Sequence, residues 1–255
     1  MKVKICGVTN PDDAKVATAW GADFVGMIMW QKAGRAVSAE AARAIADAAS
    51  AGGALPVGVF VEEGAEEIAE RCRAAGLRVA QLHGDNARAA LNHLPPSDEL
   101  SIIYVIQVTP EGELMTPLPE GRKPEWVLLD GEHGGSGQKL NWDTLPDVSD
   151  VATNGWFLAG GLSPCNVGDA VATAHPTGVD VSTGVCVDGD IFVKDGRKVA
   201  SFVASARTAA GGPKGSAWGA PGSVSASIDE TGGQGMMMFT DDQLRAVPYD
   251  KFNTE

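Results

Sequence analysis

The sequence predicts an α/β protein built as a single closed (β/α)8 (TIM) barrel, and three observations predict it. Eight short, nearly continuous apolar runs recur along the chain, the pattern of strands buried on both faces of a parallel sheet. Alanine-rich, helix-compatible segments alternate with them, as they do in a barrel of this kind. No G-x-G-x-x-G follows the first run, which weakens the main rival, an open doubly wound sheet that binds a dinucleotide.

The first strand is VKIC (3–6). After it, Asn10-Pro11-Asp12-Asp13 supplies an N-cap, a proline at the first helical position and two acids for the helix dipole. DFVGMIM (23–29) is the second strand, and Ser38 caps AEAARAIADAAS. PVGVF (56–60) and RVAQL (78–82) follow, with Gly21 and Gly76 placed where helices end and strands resume. IIYVIQV (102–108) and WVLLD (126–130) are the fifth and sixth strands. Between them, residues 109–125 hold four prolines, so the fifth crossover is irregular rather than helical. WFLAG (156–160) is the seventh strand, Ser163-Pro164 repeats the cap-then-proline device before a helix over 165–174, and VDVS (179–182) is the eighth strand.

The barrel domain is expected over 1–210. A C-terminal extension follows: Gly/Ser-rich 211–238 reads as a flexible linker and 239–255 as a short tail. The net charge of the 255-residue chain is −13, of which the extension holds only −3. That balance argues against nucleic acid as a partner. No apolar run reaches the roughly 18 residues a membrane span needs. The chain enters its first strand without an apolar signal core or an Arg/Ser-rich transit segment. It is expected in the cytoplasm, or in an organelle such as a plastid if a targeting segment was removed. Cys6, Cys72, Cys165 and Cys186 are widely spread, too sparse for a disulfide scaffold, and no Cys/His cluster has metal spacing.

In such a barrel the strand ends and the loops after them form the active face. Four ends carry chemistry: Cys6-Gly7, Gln81-Leu82-His83-Gly84, Asp130 before GEHGGSG (131–137), and Asp180-Val181-Ser182-Thr183-Gly184. AGGL (159–162) and STGV (182–185) occupy the seventh and eighth loops, where barrels bind phosphate through backbone N–H groups. Glycines also simply make tight turns, but the pair at these two loops favours a phosphate ester. Asp130 closes an apolar run, so burial can raise its pKa for general-acid work; capping its own loop is the other reading. Cys6 reads either as a small core residue or as an acid–base group, and the latter needs a nearby positive charge to form the thiolate. His83 either lines a pocket or is held structurally. Arg35, in WQKAGRAVS (30–38), either grips a carboxylate or is a solvated loop side chain.

KICG (4–7), K-x-x-R-x-V (32–37), VGVF (57–60), QLHG (81–84), LLD…GGSG…NW (128–142), AGGL-x-P-x-NV (159–167) and VDVSTGV (179–185) follow one another in order. The set resembles phosphoribosylanthranilate isomerase of tryptophan biosynthesis, over residues 2–210. The resemblance implies a barrel performing an Amadori rearrangement without a cofactor on a phosphorylated small molecule; the chain is expected as a monomer or homodimer. It implies Asp130 as general acid, Cys6 as general base, Arg35 on the anthranilate carboxylate and Asp180 on the amino group. It also implies a phosphate site around Gly160, Gly161, Ser182, Thr183 and Gly184; His83, read from its own position, is a further candidate for binding substrate. The sequence departs from the family pattern at Ala33-Gly34, where Ser-Pro is usual, and at Cys186, where a glutamate is frequent. The alternatives are the related aminoaldose-phosphate isomerase of histidine biosynthesis and a non-catalytic barrel acting as a binding module.

Overall fold

A computed structural model describes residues 1–131 and 140–211. Eight parallel strands close in sequence order: β1 Lys2–Ile5, β2 Phe24–Ile28, β3 Leu55–Phe60, β4 Val79–Leu82, β5 Ser101–Val108, β6 Trp126–Gly131, β7 Trp156–Leu158 and β8 Gly178–Val181. The last strand pairs with the first, with Lys4 opposite Asp180 in register.

Alternation along the strands builds two cores. Val3 and Ile5, Val25 and Met27, Ala80 and Leu82, Val127 and Leu129, and Val179 and Val181 face the helices. The opposite parity points inside the barrel and collects Phe24, Val57, Val79, Ile103, Val105, Leu128, Phe157 and Ala159. The rings of Phe24, Trp126 and Phe157 plug that interior with centroids 5.0–5.8 Å apart. Lys4, Gly26, Gln81, Asp130 and Asp180 stand on this inner parity. They lie nearer the C-terminal strand ends than Phe24, Val79 and Leu128. The barrel therefore has an apolar floor and a polar rim.

The helices are α1 Pro11–Ala19, α2 Ala39–Ala51, α3 Ala65–Ala75, α4 Asp85–Ala89, α5 Val167–Ala174 and α6 Gly196–Ala209. The caps expected for α1 and α2 form: Asn10 accepts from the Asp13 N–H at 2.9 Å and Ser38 from the Ala41 N–H at 3.1 Å. Gly76 closes α3 in the left-handed region at φ 70°. The fifth crossover is irregular, as its prolines require. Among its described residues, the sixth holds only a 3-10 turn at Trp142–Thr144, so the alternation is less regular than the sequence predicts.

Two further differences lie near the rim. α5 begins at Val167, not 165, because Asn166 takes the N-cap position. Its side chain turns back to the preceding loop, accepting from the Ser163 N–H at 2.7 Å and donating to the Gly161 carbonyl at 2.9 Å. After β8, an antiparallel hairpin of β9 Cys186–Val187 and β10 Asp190–Lys194 precedes α6. The linker over 211–238, the tail over 239–255 and most of GEHGGSG lie outside the described residues.

Candidate active site

β1 ends by delivering two side chains of the same parity, Lys4 and Cys6, to the inside of the rim. Lys4 is fully buried, and its ammonium donates to Asp180 Oδ1 at 2.9 Å. Cys6 is its other electrostatic neighbour. Burial works against the ammonium's charge, but Asp180 and then Cys6 outweigh it and hold its pKa above the ordinary lysine value.

Gly26 on the neighbouring strand makes this meeting possible. A β-carbon there would stand 2.7 Å from Cys6 Sγ and 3.1 Å from Lys4 Nζ. The sulfur and the nitrogen thus share the space that a side chain on β2 would fill.

Asp130 is 7% exposed at the end of β6. Burial first, then the neighbouring Asp180 carboxylate, raises its pKa from 3.8 to about 6; the Gly131 N–H, donating to Oδ1 at 2.9 Å, and the Lys4 ammonium pull the other way. Both readings of this residue are present together, since its carboxyl caps its own loop and is also held partly protonated near neutral pH.

A cleft of about 240 Å³ opens beside it, lined by Asp130, Asp180, Gly160, Gly161, Ser182, Thr183 and Gly184 among others. Gly160 and Gly161 both lie in the left-handed region, at φ 82° and 62°, where a side chain would be strained. Gly184 sits so close to the Leu162 carbonyl that a β-carbon would overlap it. The seventh and eighth loops therefore press together along one wall of the cleft.

Cys6, Arg35 and His83 are not among the residues lining that cleft; Cys6 and Arg35 are tied to it, and His83 is not. Cys6 joins through Lys4 and Asp180. Arg35 reaches from the loop after β2 and donates to Ser182 Oγ at 2.7 Å. His83 continues the inner parity of β4, and Gln81 Nε2 stands 3.4 Å from its Nδ1. Burial, then Arg88 and Lys4, lower the His83 pKa to about 4, so the ring is neutral at pH 7. Gln81 is 2% exposed, and its Oε1 has no partner among the described residues.

Sequence reasoning assigned no role to Lys4, Gly26 or Asn166. For Lys4 the signal was present: period two places it on the face of Cys6, the one residue that needed a cation. Gly26 had none, because a close approach across strands is visible only in the folded barrel. Among the described residues, no cluster of three or more His, Cys, Asp or Glu side chains could hold a metal ion. No helix among them is long and apolar enough to cross a membrane.

The closed eight-stranded parallel barrel, with buried polar side chains at its rim and a glycine-walled cleft beside them, has the architecture of a (β/α)8-barrel enzyme. The family model described as N-(5'-phosphoribosyl)anthranilate (PRA) isomerase matches residues 3–205. The chain belongs to that family and is an isomerase of tryptophan biosynthesis. A chloroplastic N-(5'-phosphoribosyl)anthranilate isomerase of Arabidopsis thaliana is 40% identical over 209 residues, covering 81% of this chain and 74% of the relative. The solved phosphoribosyl anthranilate isomerase of Thermotoga maritima is similar at TM-score 0.68 and 27% identity, covering 82% of this chain and 99% of its own. A solved phosphoribosyl anthranilate isomerase in complex with reduced 1-(o-carboxyphenylamino)-1-deoxyribulose 5-phosphate matches at TM-score 0.65 and 28% identity, over 82% and 99% of the two chains. The histidine-pathway and non-catalytic readings are set aside by this membership.

Proposed function

We propose that the rim divides the Amadori rearrangement of N-(5'-phosphoribosyl)anthranilate as follows. Asp130, in its protonated form, gives its proton to the furanose ring oxygen as the C1'–O bond breaks, leaving a Schiff base to the anthranilate nitrogen. Cys6, as thiolate, removes the C2' proton, and the C–H electron pair moves to form the enolamine. Loss of the proton on the 2'-oxygen and protonation at C1' then give 1-(2-carboxyphenylamino)-1-deoxyribulose 5-phosphate. Proton transfers alone carry the reaction, with no electron leaving the substrate, so these steps call on no cofactor.

One observation supports this reading: Lys4, paired to Asp180 at 2.9 Å, and the Cys6 sulfur crowd the same space beside Gly26, and Asp180 is also an electrostatic neighbour of Asp130. The ammonium stands where it neutralises a thiolate's charge, the positive neighbour that Cys6 requires. Asp180 adds negative charge beside Asp130, which favours the proton-bearing carboxyl.

Binding follows from the same layout. The phosphate belongs against the backbone of Gly160, Gly161, Ser182, Thr183 and Gly184, where two loops meet at the cleft. Arg35 takes the anthranilate carboxylate; its guanidinium has five N–H donors, so the bond to Ser182 leaves others for the substrate. Asp180 takes the amino group, and His83 is the further substrate contact, offered from the end of β4. The relative that binds a reduced product analogue supports this ligand class. The chloroplastic relative supports the plastid as the working compartment, the cytoplasm being the other. The chain works as a monomer or homodimer, which sedimentation velocity separates.

A fluorescence assay following loss of phosphoribosylanthranilate tests the assignment. Cys6→Ser and Asp130→Asn should each lower kcat by about 10²–10⁴-fold, the range for removing a general acid or base. Wild-type kcat in either variant would end its assignment.

A further inference from the structure

Lys194 closes β10, outside the eight barrel strands, yet it is only 4% exposed. Its ammonium donates to the Cys6 carbonyl at 2.7 Å, to the Ser182 carbonyl at 3.0 Å and to Cys186 Sγ at 3.4 Å. None of these three partners is a carboxylate. Its backbone N–H donates to Asp13 Oδ2 of α1 at 3.0 Å.

Burying an ammonium is costly, and a structure retains one only where hydrogen bonds satisfy it. The placement of those bonds matters here more than their number. Cys6 ends β1 and carries the proposed base. Ser182 follows β8, belongs to the proposed phosphate loop and receives Arg35. One nitrogen therefore draws together the two strand ends that must act on opposite parts of the same substrate, its C2' hydrogen and its 5'-phosphate.

The hairpin behind Lys194 is anchored to hold that position. Cys186 pairs with Lys194 in antiparallel register. The Asp195 N–H donates to the Val185 carbonyl at 2.9 Å, and Thr9 Oγ1 donates to the Phe192 carbonyl at 2.8 Å. Lys198 Nζ reaches back from α6 to the Cys186 carbonyl at 3.0 Å.

We propose that Lys194 is a positioning residue: its buried ammonium fixes the spacing between Cys6 and the Ser182 loop, so that a hairpin outside the barrel sets the reach from base to phosphate. This rests on the roles given above to Cys6 and the Ser182 loop. A misplacement near 1 Å can cost about 10²-fold in rate, so the effect belongs in kcat. A ligand that occupies only the phosphate loop does not span the gap and should not sense it.

The test compares the full-length wild type with Lys194→Met, Lys194→Arg and Cys6→Ser. The readouts are kcat and KM for phosphoribosylanthranilate, the competitive Ki of inorganic phosphate, and thermal melting to establish folding. Lys194→Met should lose about 10²-fold in kcat while the phosphate Ki stays within about threefold. Lys194→Arg keeps charged donors and should recover at least about tenfold of that loss. A folded Lys194→Met enzyme with kcat within about threefold of wild type overturns the inference, and so does a rise in phosphate Ki that accounts for the whole defect. If the methionine variant does not fold, Lys194→Gln, uncharged and of similar reach, carries the same comparison. Cys6→Ser separates this claim from the one beneath it. Wild-type kcat in that variant defeats the base assignment; a loss there without one in Lys194→Met defeats only the positioning role.

Discussion

A carboxyl buried 7% exposed beside a second carboxylate is a stability liability, and Asp130 is kept in that state. Its folded pKa of about 6 lies above the ordinary aspartate value of 3.8. Between those two values the folded chain holds more protons than the unfolded one, so stability falls as pH rises through the interval. At about 1.4 kcal/mol per pKa unit, the Asp130 carboxyl alone contributes on the order of 3 kcal/mol less stability at pH 8 than at pH 3. Asp130→Asn removes the titration. The variant should therefore be more stable than wild type at pH 8, lose that advantage as pH drops below 4, and be catalytically poor throughout. Urea unfolding of both proteins at pH 4, 6 and 8 checks this; a wild-type advantage at pH 8 would show that the carboxylate is not strained. At this scale the sequence was informative wherever one strand's parity sufficed. Asp130, Cys6 and Asp180 stand at rim positions that the apolar runs WVLL, VKI and VDV fix. The orphaned Gln81 Oε1 and the Arg35–Ser182 bond join residues from different elements, and no local pattern announces them.

Between elements, contact distances decide what each strand can carry. β2 passes β1 with Gly26 under the Cys6 sulfur and the Lys4 nitrogen, and a β-carbon would also come 3.3 Å from the Cys6 α-carbon. Gly26→Ala must move the thiol, the ammonium or the strand. Overpacking of this kind costs typically about 1–3 kcal/mol, which a barrel of this size survives. The expected outcome is a folded protein whose kcat falls by at least about tenfold with a smaller change in KM, since separating the thiol from its cation acts on the proton transfer. Steady-state kinetics with melting curves checks it, and unchanged kcat would show that the close pairing of sulfur and nitrogen is not needed. All eight strands were legible because both faces of each are largely buried and the runs are nearly continuously apolar. The β9–β10 hairpin was passed over although Asp188-Gly189 lies between Val187 and the run Ile191-Phe192-Val193, a local hairpin signal. Expecting a helix after the eighth strand hid it. The start of α5 was misplaced by two residues because Ser163-Pro164 satisfies a local capping rule, whereas Asn166 answers to the backbone of the glycine loop.

Across the whole molecule, the net charge is acidic while three cations gather near the rim. The chain carries −13, yet Lys4, Arg35 and Lys194 converge on the ends of β1 and β8. If the proposed site binds a phosphate and a carboxylate, local geometry and not overall charge is the source of recognition. Every one of those contacts lies within residues 1–211. The family match ends at residue 205, and α6 completes the outer core through Val199, Phe202 and Ala206, each fully buried. The barrel domain is therefore proposed as the complete catalytic unit, with 211–238 and 239–255 dispensable for turnover. An enzyme ending at residue 211 loses −3 of charge from its sequence and no residue of the site. Its kcat/KM should stay within about twofold of the full chain, the ±0.5 kcal/mol typical of changes remote from a site. Its Lys194→Met counterpart should show the same kcat defect as in the full chain, because remote changes combine additively. A truncated enzyme that loses more than about tenfold in kcat/KM while melting normally would place residues beyond 211 in the machinery and move the boundary of the functional unit to the end of the chain.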